Sequence, residues 1–169
     1  MVAIPAHEVV RLDENDAEEV HGMLKVTWWD TYKGLLPDSV ISEVEKTWHS
    51  VDTLRRQMKN KSVLFAGYKE DGKILGLARA AMADTETMRL YQLYVLPSQQ
   101  GRGIGSALMA YAKNSFPNVK RVALSVAKVN DKAISFYRRR GFVFLKESSL
   151  KLGGFEIREL EGTWSPDSR

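Results

Sequence analysis

The sequence predicts a single α/β (α+β) domain with one mixed central sheet of about six to seven strands and about four helices. Its 169 residues, 44% apolar and 27% charged, suit one domain with a sizeable core. The apolar spacing changes between helical and strand-like along the chain, without the regular alternation of a doubly wound fold. No repeat or linker is present, so we expect one domain over residues 1–169, with a core over 7–160 and a short C-terminal tail.

The first part of the chain predicts a strand and two helices. Residues 7–12 favour a short strand, and Asp13 or Asn15 can cap the helix that follows. Glycine and proline within 31–39 end that helix, and a second helical pattern runs over 40–58. The helical spacing rests on Ala17, Val20, Leu24 and Trp28, and then on Val40, Ile41, Val44, Trp48, Leu54 and Met58.

The middle of the chain predicts three strands. Residues 62–68, 73–82 and 88–96 are rich in branched and aromatic side chains. Asp71 and Gly72 separate the first two segments, and Asp-Gly is a strong signal for a hairpin turn. We therefore expect these strands to be antiparallel.

The last part predicts a helix, a strand, a second helix and two strands. Residues 119–127 favour a strand, and 131–141 favour a short helix that a glycine stops. Two strands, 142–145 and 155–160, are separated by a Gly-Gly turn. The amphipathic helix before them is indicated by Ile104, Ala107, Leu108, Tyr111 and Ala112.

The composition excludes several classes of function. Without cysteine the chain forms no disulfide, thiolate metal site or cysteine nucleophile, and its three histidines match no zinc spacing, so no metal is expected. The net charge of +4 suits a small anionic ligand, and no stripe of basic and aromatic residues indicates nucleic-acid binding. No segment approaches the roughly 20 apolar residues of a membrane helix, and no secretory signal is seen. We expect a cytoplasmic protein without a membrane partner.

The segment VLPSQQGRGIGSAL, residues 95–108, places three glycines directly before a predicted helix. Glycine allows sharp turns and close approach, and the first amides of a helix lack partners within it. With the helix dipole, these amides form an anion site suited to phosphate. A tight connection without a ligand explains the glycines equally well. A Walker loop is excluded because no Gly-Lys follows, and the dinucleotide motif GxGxxG fails at Ser106.

A third phosphate motif, Q/R-x-x-G-x-G/A, is satisfied by Gln100, Gly103 and Gly105. LYVLPSQQGRGIGSAL (93–108) and NDKAISFYRRRGF (130–142) resemble the two central motifs of the GCN5-related N-acetyltransferase (GNAT) superfamily, small bacterial and archaeal type. The order of elements is similar as well, and TWWDTYKGLLPD resembles the substrate-side helix and loop of such proteins.

The resemblance implies an N-acetyltransferase that uses acetyl-CoA and moves the acetyl group to a primary amine by direct attack in a ternary complex. It also implies a sheet splayed at the strand before the glycine loop, with acetyl-CoA in the gap. Backbone groups of that strand would meet the acetyl and pantetheine portions, with the Val95 amide or its neighbour at the oxyanion, while the loop amides wrap the pyrophosphate. The implied donor-binding residues are Leu93, Tyr94, Val95, Gln100, Gly101, Arg102, Gly103, Ile104, Gly105, Ser106 and Asn130.

Several of these residues have equally good structural interpretations. The side chains of Leu93 and Val95 are expected only to pack in the core. Arg102 is equally a solvated arginine, and Asn130 is equally a helix cap. The arginines at 138–140 could reach the 3′-phosphate of CoA, although at least two of them are expected to be solvated.

Tyr137 is the predicted catalytic acid. The thiol of CoA leaves as a thiolate unless a group protonates it, and a phenol with an ordinary pKa near 10 is a fitting donor. The alternative is that Tyr137 only fills the core beside Phe136.

The general base is not evident. Arg89 and Ser125 occupy the two places where similar proteins often carry glutamate, and neither is an ordinary base at neutral pH. Asp84 and Glu86 could act as bases through a chain of water molecules, but the sequence favours exposed loop carboxylates at both positions.

On the acceptor side the resemblance implies Trp29 and Tyr32, with Leu35, as lining residues, while Trp28 is expected in the core. The acceptor would be a small-molecule or peptide amine, and a polyamine is the specific prediction. Similar proteins are often dimers, which makes a homodimer the candidate assembly. Two alternatives remain open: a sensor or interaction domain that binds acetyl-CoA without transfer, and a plain nucleotide-binding module.

Overall fold

The computed structural model describes residues 7–167, which form seven strands and five α-helices. The strands are β1 (His7–Arg11), β2 (Val63–Glu70), β3 (Lys73–Met82), β4 (Thr87–Val95), β5 (Arg121–Ala127), β6 (Val143–Leu152) and β7 (Phe155–Trp164). The helices are α1 (Ala17–Tyr32), α2 (Asp38–Lys46), α3 (Val51–Met58), α4 (Ile104–Asn114) and α5 (Asp131–Arg138).

All seven strands join one sheet in the order β1-β2-β3-β4-β5-β7-β6. Neighbouring strands are antiparallel except β4 and β5, which are parallel and connected through α4. The hairpin between β2 and β3 turns at Asp71 and Gly72 with positive φ values of 50° and 77°, as a tight hairpin turn requires. The predicted mixed sheet in an α/β domain is confirmed.

Helices cover both faces of the sheet. On one face, α4 and α5 pack over its centre, with Leu108, Leu124 and Ile134 in the shared core. On the other face, α1 to α3 form two clusters, one around Leu24 and Phe65 and one around Tyr32, Ile41 and Ile157. The centre of the sheet is therefore enclosed from both sides.

The predicted second helix is wrong in one respect, because residues 40–58 form two helices. Ser50 Oγ accepts from the Thr53 amide at 3.3 Å and caps α3. His49 turns inward, is 3% exposed, and packs edge-on against Trp28 at 5.3 Å between ring centroids. The apolar spacing continues through this break, which the Ser50 cap and the inward turn of His49 mark in the structure.

Several boundaries also differ from the expectation. Strand β6 continues to Leu152 rather than ending at residue 145, and α5 ends at Arg138 rather than at residue 141. Asp13 caps a short 3₁₀ turn, Glu14–Asp16, that leads into α1. Strand β7 continues past residue 160 to Trp164, which pairs with Val122 of β5. This extension puts the Trp164 ring 3.3 Å from the Lys113 ammonium on α4.

Candidate functional site

The parallel pair β4 and β5 separates halfway along its length. The ladder runs from Thr87 and Arg121 to Leu90 and Leu124 and then stops. Beyond it β4 pairs only with β3, and β5 only with β7. A bulge at Tyr91 bends β4 at this point, since Arg79 faces Gln92 while Ala80 faces Leu90. The predicted splay is confirmed, and it leaves a gap with unpaired backbone groups on both sides.

Backbone groups of Leu93 and Val95 point into this gap. The Leu96 amide donates to Leu75 O at 2.9 Å on the β3 side, and successive residues of a strand direct their backbone groups to opposite edges. Val95 O accepts from Gln100 Nε2 at 3.2 Å, which ties the glycine loop to the gap. The Leu93 and Val95 side chains pack against the core under α4, while the Tyr94 backbone faces β3.

The glycine loop ends the gap at the start of α4. Gly101 and Gly103 have φ values of 79° and 81°, in the left-handed region that favours glycine. Gly103 is the N-cap without a side-chain capping bond, and the first backbone bond of the helix runs from the Ala107 amide to Gly103 O at 3.0 Å. The amides of residues 104–106 are thus the orphan donors of the first turn, and they can hold an anion.

Arg140 is an arginine that contacts the start of this helix, while Arg102 lies in the loop before it. Arg102 donates to Glu70 Oε2 at 2.7 Å, so its charge is already paired. Arg140 lies 3.5 Å from the Phe136 ring centroid and donates to Ser106 Oγ through Nη2 at 2.6 Å. It also donates to Phe136 O at 3.0 Å. The sequence analysis identified the arginines at 138–140 as possible phosphate contacts, but no local pattern indicates which of them turns toward the loop.

Tyr137 is buried on the other side of the gap. It is 8% exposed and meets Phe136 and Phe142 edge-on, each at 5.3 Å between centroids. Burial raises the pKa of its phenol, with a smaller electrostatic contribution from Tyr32 on the opposite face and an opposing one from Arg140. The phenol, which is protonated at neutral pH even with an ordinary pKa, lies within electrostatic reach of Tyr32.

Asn130 joins the two faces at the end of β5. Its Oδ1 accepts from the Ala133 amide at 3.1 Å and caps α5, which is the structural role foreseen for it. Burial raises the pKa of Tyr32, and the nearby Asn130 side chain partly offsets this rise. Asn130 is thus placed beside the gap while acting as a cap.

The predicted acceptor residues fall in different places. Tyr32 is buried at the end of α1, beside the gap. Trp29 Nε1 donates to Glu45 Oε2 of α2 at 3.3 Å, so this ring contacts the neighbouring helix. Trp28 lies in the core, and Leu35 is 49% exposed.

The candidate base positions carry no free carboxylate. Arg89 Nη2 donates to Ser125 Oγ at 2.8 Å. Asp84 accepts from the amides of Glu86 and Thr87 and so holds the turn between β3 and β4, and these bonds lower its pKa. Glu86 pairs with Lys120.

Sequence reasoning missed Glu159, a half-buried carboxylate on β7 opposite Ala127. It lies in an ordinary alternating strand, and no local motif marks it. Among residues 7–167, no three His, Asp or Glu side chains gather in a way that could hold a metal ion. No helix within that range is long and apolar enough to cross a membrane.

Known proteins share this architecture. Solved structures similar to the chain include PaiA N-acetyltransferase from Thermoplasma acidophilum in complex with coenzyme A, with a TM-score of 0.84 and 20% identity over 95% of this chain and 99% of that one. A chimera of spermidine N-acetyltransferase SpeG from Vibrio cholerae and hSSAT has a TM-score of 0.67 and 17% identity over 94% of this chain and 95% of that one. At these identities the likeness shows the fold.

Sequence relatives agree with the fold. Peptidyl-lysine N-acetyltransferase YiaC of Escherichia coli (strain K12) is 37% identical over 75 residues, which are 44% of this chain and 47% of that protein. The matched segment thus spans about half the length of the curated relatives. The profile of the Acetyltransferase (GNAT) family matches residues 22–142, most of the sheet with the gap, the glycine loop and Tyr137. The chain therefore belongs to the GNAT family of acetyltransferases.

Proposed function

We propose that this chain, as one domain over residues 1–169, is an acetyl-CoA-dependent N-acetyltransferase that acts on a primary amine by direct attack in a ternary complex. The observation that supports it most is the gap between β4 and β5, which leads from Tyr137 to the amides at the start of α4. Bound acetyl-CoA would supply an acetyl group activated as a thioester. The chain contains no cysteine, so no enzyme thiol carries the acetyl group.

The donor side of the gap fits such a molecule. Backbone groups of Leu93 and Val95 can pair with an extended amide-bearing arm as a neighbouring strand would. The amides of residues 104–106 and the guanidinium of Arg140 together suit a diphosphate. The Val95 amide faces the same gap and can donate to the carbonyl oxygen as negative charge develops on it.

Tyr137 is the proposed acid. Its phenol carries a proton at neutral pH, as a phenol with an ordinary pKa near 10 does, and burial raises the pKa further, so a proton is present when the carbon–sulfur bond breaks. Its ring is held by Phe136 and Phe142, which fixes the hydroxyl before any ligand arrives. Preorganisation of this kind avoids reorienting the donor during the reaction.

For the acceptor we propose a primary amine, with a polyamine as the class that the N-terminal loop suggests. A solved relative of the same fold is a spermidine N-acetyltransferase chimera. A lysine side chain in a peptide is the second candidate, which the similarity to a peptidyl-lysine N-acetyltransferase supports.

The test is to incubate the protein with acetyl-CoA and separate amines and to follow the release of free CoA thiol. The amines are spermidine, a peptide with one lysine and a blocked N-terminus, and a free amino acid. Thiol release that depends on an amine supports transfer, and the preferred amine identifies the acceptor class. Binding of acetyl-CoA without release for any amine would favour the sensor. Equal competition by ATP and CoA would favour a plain nucleotide-binding module.

A further inference from the structure

We propose that Glu159 on β7 is the general base that takes the proton from the acceptor ammonium. The assignment rests on the proposed transferase function and adds a catalytic residue to it. Arg89 on β4 and Ser125 on β5 carry no group that can accept a proton at neutral pH. The next strand, β7, presents the carboxylate of Glu159 to the same face.

The register of the sheet places Glu159 beside the gap. It lies directly opposite Ala127 of β5, and directly opposed residues share a face. Ala127 and Ile157 belong to the buried cluster that contains Tyr32 and contacts Tyr94. Glu159 follows Ile157 by two positions and so points to the same face. Adjacent strands lie about 4.8 Å apart, so Glu159 lies one strand away from β5, whose other edge borders the gap.

Glu159 lies within electrostatic reach of groups that border the gap. Its charge acts on Tyr32 at the end of α1 and on Tyr94, which lies on β4 at the far side of the gap. The charge of Arg89, also on β4, acts on Glu159 in turn. Groups from two elements that border the gap are thus within electrostatic reach of this carboxylate.

Glu159 is also a half-buried carboxylate that is left available on this face. Within residues 7–167 its carboxylate has no hydrogen bond and no ion pair. Two other partly buried carboxylates are engaged: Glu161 pairs with Lys146, and Glu45 with Lys25. A half-buried carboxylate without a partner is unfavourable unless a ligand cation completes it, and an acceptor ammonium is such a cation.

The proton affinity of Glu159 suits the task. Burial raises its pKa, the Arg89 charge lowers it, and the neighbouring Glu161 raises it again. Tyr32 of α1 and Tyr94 of β4 lie within electrostatic reach of Glu159. Lys146 of β6 forms an ion pair with Glu161. A carboxylate whose pKa lies above its ordinary value is a stronger base while it is still ionised at neutral pH.

The transfer removes two protons from the amine nitrogen and adds one to the sulfur. The Glu159 carboxylate takes one proton from the ammonium, which frees the nitrogen lone pair. That pair forms the new carbon–nitrogen bond to the acetyl carbon, and the carbon–sulfur pair leaves with sulfur. Sulfur takes a proton from Tyr137, and nitrogen loses its second proton through water to the tyrosinate. The net products are the amide, the CoA thiol and one proton, which Glu159 returns to solvent.

The test compares E159Q with E161Q, a matched control two positions along the same strand and face. Steady-state rates are measured from pH 6 to pH 10 with the preferred amine, and CoA affinity is measured by calorimetry. We expect E159Q to lose kcat by about a hundredfold or more at pH 7, with unchanged CoA affinity. Its rate should recover toward that of the wild type as pH approaches the ordinary amine pKa of about 10.4, where the amine needs no base. E161Q should keep a kcat near that of the wild type at pH 7, and its acidic limb should move to lower pH, because the Glu161 charge raises the pKa of Glu159.

Three outcomes would overturn the assignment. If E159Q keeps the kcat and pH profile of E161Q, Glu159 is not the base, and the transferase function stands. If E159Q loses kcat by the same factor at every pH while CoA binding is intact, Glu159 acts structurally. If the wild type acetylates no amine, the proposed function and this assignment fail together.

Discussion

Arg89 Nη2 donates a hydrogen bond of 2.8 Å to Ser125 Oγ at the point where β4 and β5 separate. The bond connects the two strands where their ladder ends, at two positions that carry no carboxylate. Because the Arg89 charge lowers the pKa of Glu159, the substitution Arg89→Met should raise the pKa of Glu159. The acidic limb of the kcat profile should then move to higher pH. Ser125→Ala, which removes the bond but keeps the charge, should leave the limb in place, and identical shifts in both variants would contradict this reasoning.

Tyr137→Phe should remove the acid while keeping the packing between Phe136 and Phe142. We expect kcat to fall by about a hundredfold or more with unchanged CoA affinity, because the thiolate then leaves without a proton donor. Tyr111→Phe is the control, since Tyr111 packs against the same core from α4. Turnover of Tyr137→Phe equal to that of Tyr111→Phe would exclude the acid role.

Gly103→Ala tests the loop conformation. Gly103 and Gly34 have φ values of 81° and 82°, and a Cβ at either would have open space around it. Both alanine variants should therefore lose about 1–2 kcal/mol of unfolding free energy from backbone strain alone. Only Gly103→Ala should also lose CoA affinity, since its strain moves the amides at the start of α4. Calorimetry with CoA and urea unfolding separate the two effects, and equal CoA affinity in both variants would remove the loop from the site.

Arg140→Gln should weaken CoA binding by about tenfold, because a charge-assisted contact with phosphate is worth about 1.5–3 kcal/mol. Arg102→Gln should have little effect on CoA binding, because Arg102 is paired with Glu70. Titration with dephospho-CoA then distinguishes the phosphates. If Arg140 meets the diphosphate, its loss weakens CoA and dephospho-CoA equally; if it meets the 3′-phosphate, dephospho-CoA is unaffected. A larger loss in Arg102→Gln would reverse the roles assigned to the two arginines.

His49 should make the fold sensitive to acid. Burial, with smaller contributions from the charges of His21 and Arg79, lowers the pKa of His49 from 6.5 to about 4. The unfolded chain then binds more protons than the native one between these values, so stability is complete above pH 6.5 and falls as pH drops toward 4. The loss between pH 7 and pH 4.5 is about 2 kcal/mol. Urea unfolding of His49→Gln at both pH values should show a smaller loss than the wild type, whereas exposed His7→Gln should match the wild type. An unchanged loss in His49→Gln would show that His49 is not the acid-sensitive group.

The sequence by itself determined the elements whose causes are local. Helical spacing in α1 and α4, the Asp71-Gly72 turn and the glycine loop each depend on neighbouring residues, so their physical signals lie within short segments. The motifs around Gly103 and Tyr137 sit on such elements, which is why the family and the donor loop could be predicted.

The tertiary structure decided what depends on contacts between distant segments. The break at His49 exists because its ring packs under Trp28, although the apolar spacing runs on. The pairing of Arg140 with Ser106, and of Arg102 with Glu70, follows from how α5 and β2 approach the loop. Glu159 lies beside Ala127 of β5 only because β7 inserts between β5 and β6 in a register that sets the two residues opposite each other. Strand order and register are long-range properties, so no window of the sequence contains them.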